Sequence, residues 1–112
     1  MIKELAAKVF AGLVHRKNQK WIQNPINAQN QVFQELLKKG RNTVFGKDHA
    51  FETITEINQF KAKVPVRDYE AFRPYIEDVL NGGRDVLWPG RPLYYAKSSG
   101  TTSGAKFIPI TA

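Results

Sequence analysis

A segment of small hydroxyl residues and glycines, SSGTTSGAK at residues 98–106, lies between two short apolar runs. The runs, at residues 93–96 and 107–110, are rich in aromatic and β-branched side chains, which is typical of strands. Pro109 disfavours a helix that begins directly after Lys106, and it cannot donate a hydrogen bond to a neighbouring strand. We therefore predict a β-hairpin whose loop contains this segment and whose second strand lies at a sheet edge or bulges at Pro109.

Helical periodicity dominates the chain before this hairpin. Apolar residues recur at intervals of three and four from Ile2, from Ala28, from Ile54 and from Tyr69. The first of these stripes ends near His15, and we interpret it as a helix that docks on other protein rather than on a membrane surface. The predicted fold class is α/β, seen here as a fragment that is mostly helical over residues 1–87 and then forms the hairpin.

Several residues mark the expected ends of these helices. Pro25 suits the first turn of a helix, Gly40 suits a C-terminus, and Asp68 suits an N-terminal cap. Thr53 with Glu56 has the spacing of a capping box, and Pro74 is expected to break the last helix. Between these elements, the stretch RNTVFGKDHAF at residues 41–51 is expected to be irregular, with His49 on the surface.

Composition narrows the class of protein. The chain has 112 residues, of which 42% are hydrophobic, enough for one modest core. Its net charge of +7 is uneven, because residues 1–50 hold nine Lys and Arg against three Asp and Glu. There is no cysteine, no apolar run long enough to span a bilayer and no secretory signal pattern. We expect a cytoplasmic protein without a membrane or nucleic-acid partner.

The hydroxyl-rich segment has the chemistry of a phosphate-binding loop. Glycines allow successive N–H groups to point inward, hydroxyl groups add hydrogen-bond donors, and a lysine adds a positive charge. The Walker pattern does not fit, because Ala105 stands in place of its second glycine and Phe107 in place of its Ser or Thr. On composition alone, a solvated turn remains an alternative.

A family resemblance favours phosphate binding. SSGTTSGAK resembles the loop S/T-S-G-T-T-G-x-P-K of the acyl-adenylate-forming, firefly-luciferase-like superfamily, although its later glycine is displaced by one position and Ala105 replaces the proline. With RNTVFGKDHAF, VPVRDYEAFRPYI and LWPG, the segment SSGTTSGAKFIPIT is similar to bacterial members of the auxin-responsive promoter family, the acyl acid amido synthetases. The resemblance covers the chain from about Trp21.

The resemblance implies an enzyme that uses ATP and Mg²⁺ to convert a carboxylic acid into an acyl-adenylate, with release of pyrophosphate. The acyl group then passes to an amine, which in this family suggests an amino acid. It further implies that the loop binds the nucleotide phosphates, whereas no catalytic or metal-binding residue is assigned within this chain. The expected phosphate-binding residues are Ser98, Ser99, Gly100, Thr101, Thr102, Ser103, Gly104 and Lys106.

The resemblance also bears on domain organisation. Family members are several times longer, so residues 1–112 are expected to be the N-terminal part of a large adenylate-forming domain, with Met1 a true N-terminus and the fragment inactive alone. Three alternatives remain: an acyl-CoA ligase-like enzyme, a basic nucleic-acid-binding module suggested by the isoelectric point of 9.8, and a noncatalytic interaction domain. The acid, the acceptor and the oligomeric state are not predicted.

Overall fold

A computed structural model of the chain describes residues 1–100 and 104–112. It contains five α-helices and a two-stranded antiparallel sheet within those residues, which confirms the predicted order of helices followed by a hairpin. The chain divides into two compact units, Met1–Gln34 and Glu35–Ala112. The elements are α1 (Ile2–Gln23), α2 (Pro25–Gly40), α3 (Val44–Asp48), a 3₁₀ turn (Phe51–Thr53), α4 (Ile57–Lys63), α5 (Tyr69–Leu80), β1 (Tyr94–Ser98) and β2 (Lys106–Ile110).

Helix α1 is longer than predicted. It continues past His15 to Gln23, because the intervening Arg, Lys and Gln residues are good helix formers even without an apolar stripe. Pro25 opens α2 as expected, and the side chain of Asn24 accepts a hydrogen bond from the backbone N–H of Asn27 at 3.3 Å. No residue of α1 is buried. Among the described residues, no helix is both long and apolar enough to cross a membrane.

The second unit begins with a close approach of two backbone segments. A Cβ atom at Gly46 would lie 2.0 Å from the carbonyl oxygen of Gly40, so a larger residue at position 46 would force the segments apart. Thr43 lies between the two glycines and is 1% exposed. Its Oγ1 donates to the Gly40 carbonyl at 2.6 Å and accepts from the Gly46 N–H at 2.9 Å, which caps α3.

The segment at residues 41–51 contains α3, so the prediction that it is irregular is wrong. This helix has only five residues, and its first two N–H groups find distant partners. Val44 N–H donates to the Asp85 carbonyl at 2.8 Å, and Phe45 N–H donates to the Val86 carbonyl at 3.0 Å. These bonds satisfy donors that a helix N-terminus leaves free.

Aromatic rings fill the space beside α3. Phe45 lies 5.7 Å from Phe72 in a stacked arrangement and 5.2 Å from Tyr75 edge to face, measured between ring centroids. Phe51 continues the cluster, 5.9 Å from both Phe45 and Phe60. The fully apolar part of the core consists of Leu37, Ile54, Ile76, Val79 and Val86.

Helix α5 begins as predicted but is not broken. Asp68 caps it by accepting a hydrogen bond from the Ala71 N–H at 2.9 Å. At its end, Gly82 has φ +91° and donates to the Val79 carbonyl at 3.0 Å, while Gly83 donates to the Asp78 carbonyl at 2.9 Å, a Schellman motif. Pro74 lies inside the continuous helix, so the prediction of a break is wrong.

Two further local predictions need correction. The capping box of α4 lies three residues later than expected, because Gln59 accepts from the Glu56 N–H at 3.3 Å. Thr53 instead ends the 3₁₀ turn, where its hydroxyl donates to the Ala50 carbonyl at 2.8 Å. His49 is not on the surface, because only 6% of it is exposed.

The hairpin pairs five residues of each strand. Its register places Tyr95 opposite Pro109 and Ser98 opposite Lys106. The register is continuous through Pro109, so the strand does not bulge there, and whether it is an edge strand stays a prediction. The turn that precedes the hairpin is closed by Asp85. The Asp85 N–H donates to the Gly90 carbonyl at 2.9 Å, and the Asp85 side chain accepts from the Gly90 N–H at 2.6 Å.

We expect Thr43→Val to lower the free energy of unfolding by about 1–2 kcal/mol, because valine keeps the shape but leaves the buried Gly46 N–H without its acceptor. Thr53→Val is the matched control: the same change at an exposed hydroxyl should cost less than about 0.5 kcal/mol. Urea denaturation of both variants measures the difference. Equal losses would show that the Thr43 cap does not stabilise the second unit.

Candidate functional site

The sequence predicts eight phosphate-binding residues, and the structure describes five of them in the hairpin loop and at the strand ends beside it. Ser98 ends β1 and Lys106 begins β2, directly opposite each other. Ser99 and Gly100 continue from β1, and Gly104 precedes Ala105 and β2. The predicted residues Thr101, Thr102 and Ser103 lie outside the described part of the chain. The structure thus brings together the five described members at one end of the hairpin.

The two glycines of the loop come into direct backbone contact. Gly100 has φ +29°, and a Cβ atom built on it would lie 1.8 Å from the carbonyl oxygen of Gly104. Gly104 has φ +82°, but a Cβ atom there would meet nothing within 4 Å. Glycine is thus required at position 100 for space as well as for backbone conformation, and at position 104 for conformation alone.

Ser98 has the most informative side chain of the site. Its hydroxyl oxygen is buried and has no hydrogen-bond partner among the described residues. A buried hydroxyl without a partner is costly, and native structures satisfy the great majority of such groups with protein, water or ligand. Ser98 is paired directly with Lys106 across the two strands, and paired residues point their side chains to the same face of the sheet. Ser98 and Lys106 therefore share a face. Ser98 is thus the cross-strand neighbour of the loop lysine.

Lys106 is positioned by an aromatic ring rather than by a carboxylate. Its ammonium nitrogen lies 5.6 Å from the ring centroid of Tyr69, within the range of a cation–π interaction. Among the described residues, no ion pair involves Lys106. Its charge is therefore not neutralised by a carboxylate of the described residues.

Glu70 is the carboxylate next to this group, and Arg73 already holds it. The Arg73 guanidinium donates two hydrogen bonds to Glu70, from Nε at 2.8 Å and from Nη2 at 2.7 Å. The pKa of Glu70 is lowered chiefly by the hydrogen bond from Arg73, against a smaller opposing effect of burial, and the charges of Arg73 and then Lys106 lower it further. Glu70 is half exposed, so this pair contributes little to stability.

Two tyrosine hydroxyls join the hairpin to α5. The Phe107 N–H donates to the Tyr69 Oη at 2.9 Å, and the same hydroxyl donates to the Phe107 carbonyl at 3.3 Å. Tyr95 in β1 donates from its Oη to the Val79 carbonyl at 3.1 Å. The sequence places Tyr69 in an apolar helical stripe, and nothing in the local pattern distinguishes a phenol that bonds a strand from one that only packs.

A second polar cluster lies in the second unit and is internally satisfied. Arg67 Nη2 lies 2.7 Å from His49 Nε2. Because arginine can only donate, this imidazole nitrogen is the acceptor. The other ring nitrogen of His49, Nδ1, carries the hydrogen and donates to the Phe45 carbonyl at 2.7 Å. The Arg67 guanidinium carbon lies 5.8 Å from the ring centroids of both Phe45 and Phe72. These contacts pack Arg67 and His49 against the aromatic cluster and stabilise the fold of the second unit.

Tyr75 belongs to the same cluster. Its hydroxyl donates to Asp48 Oδ2 at 2.7 Å. Burial is the main cause that raises the pKa of Tyr75, and the hydrogen bond to Asp48 raises it further, while Arg67 lowers it. The phenol therefore stays neutral at physiological pH and acts as a fixed donor.

An apolar cleft of about 230 Å³ lies between the end of α5, the turn after it and β2. None of its lining residues is titratable, so it offers no acid, base or metal ligand. Among the residues that the structure describes, no group of three or more His, Cys, Asp or Glu could hold a metal ion. The lining residues are Val79, Gly83, Val86, Leu87, Trp88, Gly90, Pro92, Pro109 and Thr111.

Comparison with known proteins finds one family. A family model described as the GH3 family N-terminal domain matches residues 14–112. The chain is 32% identical over 84 residues to indole-3-acetic acid-amido synthetase GH3.2 of Arabidopsis thaliana, covering 74% of this chain and 15% of that protein. It is 34% identical over 79 residues to probable indole-3-acetic acid-amido synthetase GH3.2 of Oryza sativa subsp. japonica, covering 70% and 13%.

A longer alignment extends over almost the whole chain. Indole-3-acetic acid-amido synthetase GH3.5 of Arabidopsis thaliana is 27% identical over 112 residues, covering 93% of this chain and 18% of that protein. The chain thus spans less than a fifth of the length of these three relatives.

We expect Gly100→Ala to destabilise the hairpin by about 1–3 kcal/mol more than Gly104→Ala does. Both substitutions cost about 1–2 kcal/mol from the left-handed backbone conformation, but only the first also places a methyl group on a carbonyl oxygen. Amide hydrogen exchange of β1 and β2 measures the local opening free energy in each variant. Equal effects would refute the close contact between the two glycines.

Proposed function

The chain belongs to the GH3 family, and from this membership we propose that the complete protein is an ATP-dependent acyl acid amido synthetase. Three relatives are named as amido synthetases of indole-3-acetic acid. These names support the proposal that the complete protein joins a small carboxylic acid to an amine. In the proposed reaction, the carboxylate attacks the α-phosphorus of ATP and pyrophosphate leaves. The amine, in this proposal that of an amino acid, then attacks the acyl carbon and AMP leaves.

We propose that residues 1–112 form the N-terminal part of a large adenylate-forming domain. The support is that the chain matches an N-terminal domain and spans only 13–18% of the three relatives. The residues that bind adenine, ribose and acceptor would then lie outside this chain. The fragment alone would be inactive for the same reason.

The role proposed for this chain is to bind the phosphates of ATP through the hairpin loop. The observation that carries it is the buried hydroxyl of Ser98, which lies opposite Lys106; within residues 1–100 and 104–112 the hydroxyl has no hydrogen-bond partner and the lysine has no ion pair. Once the loop shifts enough to expose Ser98 Oγ, a phosphate oxygen would accept from both groups and remove the cost of the unsatisfied hydroxyl. We assign phosphate binding to Ser98, Ser99, Gly100, Thr101, Thr102, Ser103, Gly104 and Lys106.

The magnesium ion has no ready-made site among the described residues, because no carboxylate or imidazole cluster is present there. Mg²⁺ characteristically keeps several waters and binds through substrate phosphates with only one or two carboxylates. We therefore propose that it enters with the nucleotide and that its protein ligands lie outside residues 1–112. When bound, it would neutralise charge on the phosphates.

Catalysis by the loop would be electrostatic. Negative charge develops on the departing pyrophosphate, and donors that already point toward that position stabilise it without reorganisation. Lys106 supplies a mobile positive charge and Ser98 a fixed hydroxyl. Because this charge develops in the first half-reaction only, the loop would accelerate adenylation and not acyl transfer.

We expect Lys106→Ala to slow acid-dependent ATP–pyrophosphate exchange by the complete protein about 10- to 150-fold, since one charge-assisted contact is worth about 1.5–3 kcal/mol. Amine transfer from a preformed acyl-adenylate should change much less. The two reactions are measured separately by isotope exchange and by single-turnover aminolysis.

Lys97→Ala is the matched control for this experiment. Lys97 belongs to the same hairpin, but the alternation of strand side chains puts it on the opposite face, where its ammonium lies 5.8 Å from the Phe107 ring centroid. Its loss should alter exchange less than about twofold. Equal exchange rates in wild type and Lys106→Ala, with the fold intact, would remove the phosphate role from the loop.

A further inference from the structure

Helix α5 and β2 meet at one residue of the strand. Tyr69 uses a single hydroxyl to accept from the Phe107 N–H at 2.9 Å and to donate to the Phe107 carbonyl at 3.3 Å. A side chain that bonds both backbone groups of one residue fixes the position of that residue and the orientation of its peptide planes. Phe107 directly follows Lys106, so this contact determines where the strand leaves the loop.

The ring of the same tyrosine contacts the loop cation. Lys106 Nζ lies 5.6 Å from the ring centroid, and the Arg73 guanidinium carbon lies 5.7 Å from it. Of these two cations only Arg73 has a carboxylate partner among the described residues, namely Glu70. The ring therefore holds a cation that has no carboxylate partner among the described residues, and it does so without neutralising the charge.

We propose that Tyr69 is a positioning residue for phosphate binding, because its hydroxyl bonds both backbone groups of Phe107 and its ring contacts the Lys106 ammonium. This inference rests on the proposed function of the loop. Tyr69 acts through Phe107 and Lys106 and does not itself touch the phosphates. Removal of the hydroxyl should loosen the loop, and removal of the ring should also release the cation.

The chain offers a close control for this role. Tyr95 also joins the hairpin to α5 through one hydroxyl, which donates to the Val79 carbonyl at 3.1 Å. It lies opposite Pro109, three residues from Lys106 along β2. Tyr95→Phe therefore removes a hydrogen bond between the same two elements, but away from the loop.

The experiment measures binding of magnesium pyrophosphate to the complete protein by titration calorimetry. We expect Tyr69→Phe to raise the dissociation constant about 3- to 10-fold, because both hydrogen bonds that fix Phe107 are lost, and Tyr69→Leu to raise it further. Tyr95→Phe should change it less than about twofold. In ATP–pyrophosphate exchange, Tyr69→Phe should raise the KM for ATP and leave the KM for the acid unchanged.

Three outcomes separate this inference from the function on which it rests. If wild type does not bind pyrophosphate, or binds it no better than Lys106→Ala, both the proposed function and the inference are wrong. If Lys106→Ala weakens binding while Tyr69→Phe behaves like Tyr95→Phe, only the inference is wrong. If Tyr69→Phe weakens binding selectively, the inference is supported.

A structural readout completes the test. In Tyr69→Phe, the Phe107 N–H loses its acceptor, so its amide hydrogen exchange should accelerate more than that of the other β2 amides. Tyr95→Phe should not produce this local acceleration. Uniform acceleration across β2 in both variants would indicate a general loss of stability and would overturn the positioning role.

Discussion

The attachment of the hairpin to α5 is the contact on which the candidate site depends. A two-stranded hairpin is at best marginally stable in water, and packing against a helix is one way to stabilise it. Here Tyr69 bonds β2 near the loop, and Tyr95 bonds the end of α5 from β1. Without these contacts, Ser98 and Lys106 would have no fixed relation to the rest of the second unit.

The parts of the fold that follow from local chemistry were predictable from the sequence. Asp68 caps α5 and glycines end it, because both effects involve residues within one helical turn. The parts that depend on distant partners were not predictable. Helix α3 exists through bonds to Asp85 and Val86, and His49 is buried because Arg67, eighteen residues away, satisfies its ring nitrogen.

Pro74 illustrates a different limit. Proline removes one backbone donor and crowds the preceding turn, so the local pattern indicates a break. The continuous helix places Ile76 and Val79 in the core, and burial of two such side chains is worth about 3–6 kcal/mol, at least as much as the roughly 3 kcal/mol cost of the proline. Tertiary packing therefore decides the outcome, and sequence periodicity alone does not reveal its size.

The composition and motif of the loop identify the candidate site, but they do not reveal its supporting residues. Residues 98–106 carry the resemblance, and the hairpin around them was correctly predicted from two apolar runs and Pro109. The burial of the Ser98 hydroxyl, the contact of Gly100 with Gly104 and the bonds from Tyr69 depend on three-dimensional packing. Those packing details support a ligand at this loop more strongly than composition does.

The most direct test of the central claim is a crystal structure of the complete protein with magnesium and ATP. The account predicts oxygens of the β- or γ-phosphate at hydrogen-bond distance, about 2.7–3.2 Å, from both Ser98 Oγ and Lys106 Nζ. A structure with the phosphates bound elsewhere, and with the Ser98 hydroxyl still without a partner, would contradict it.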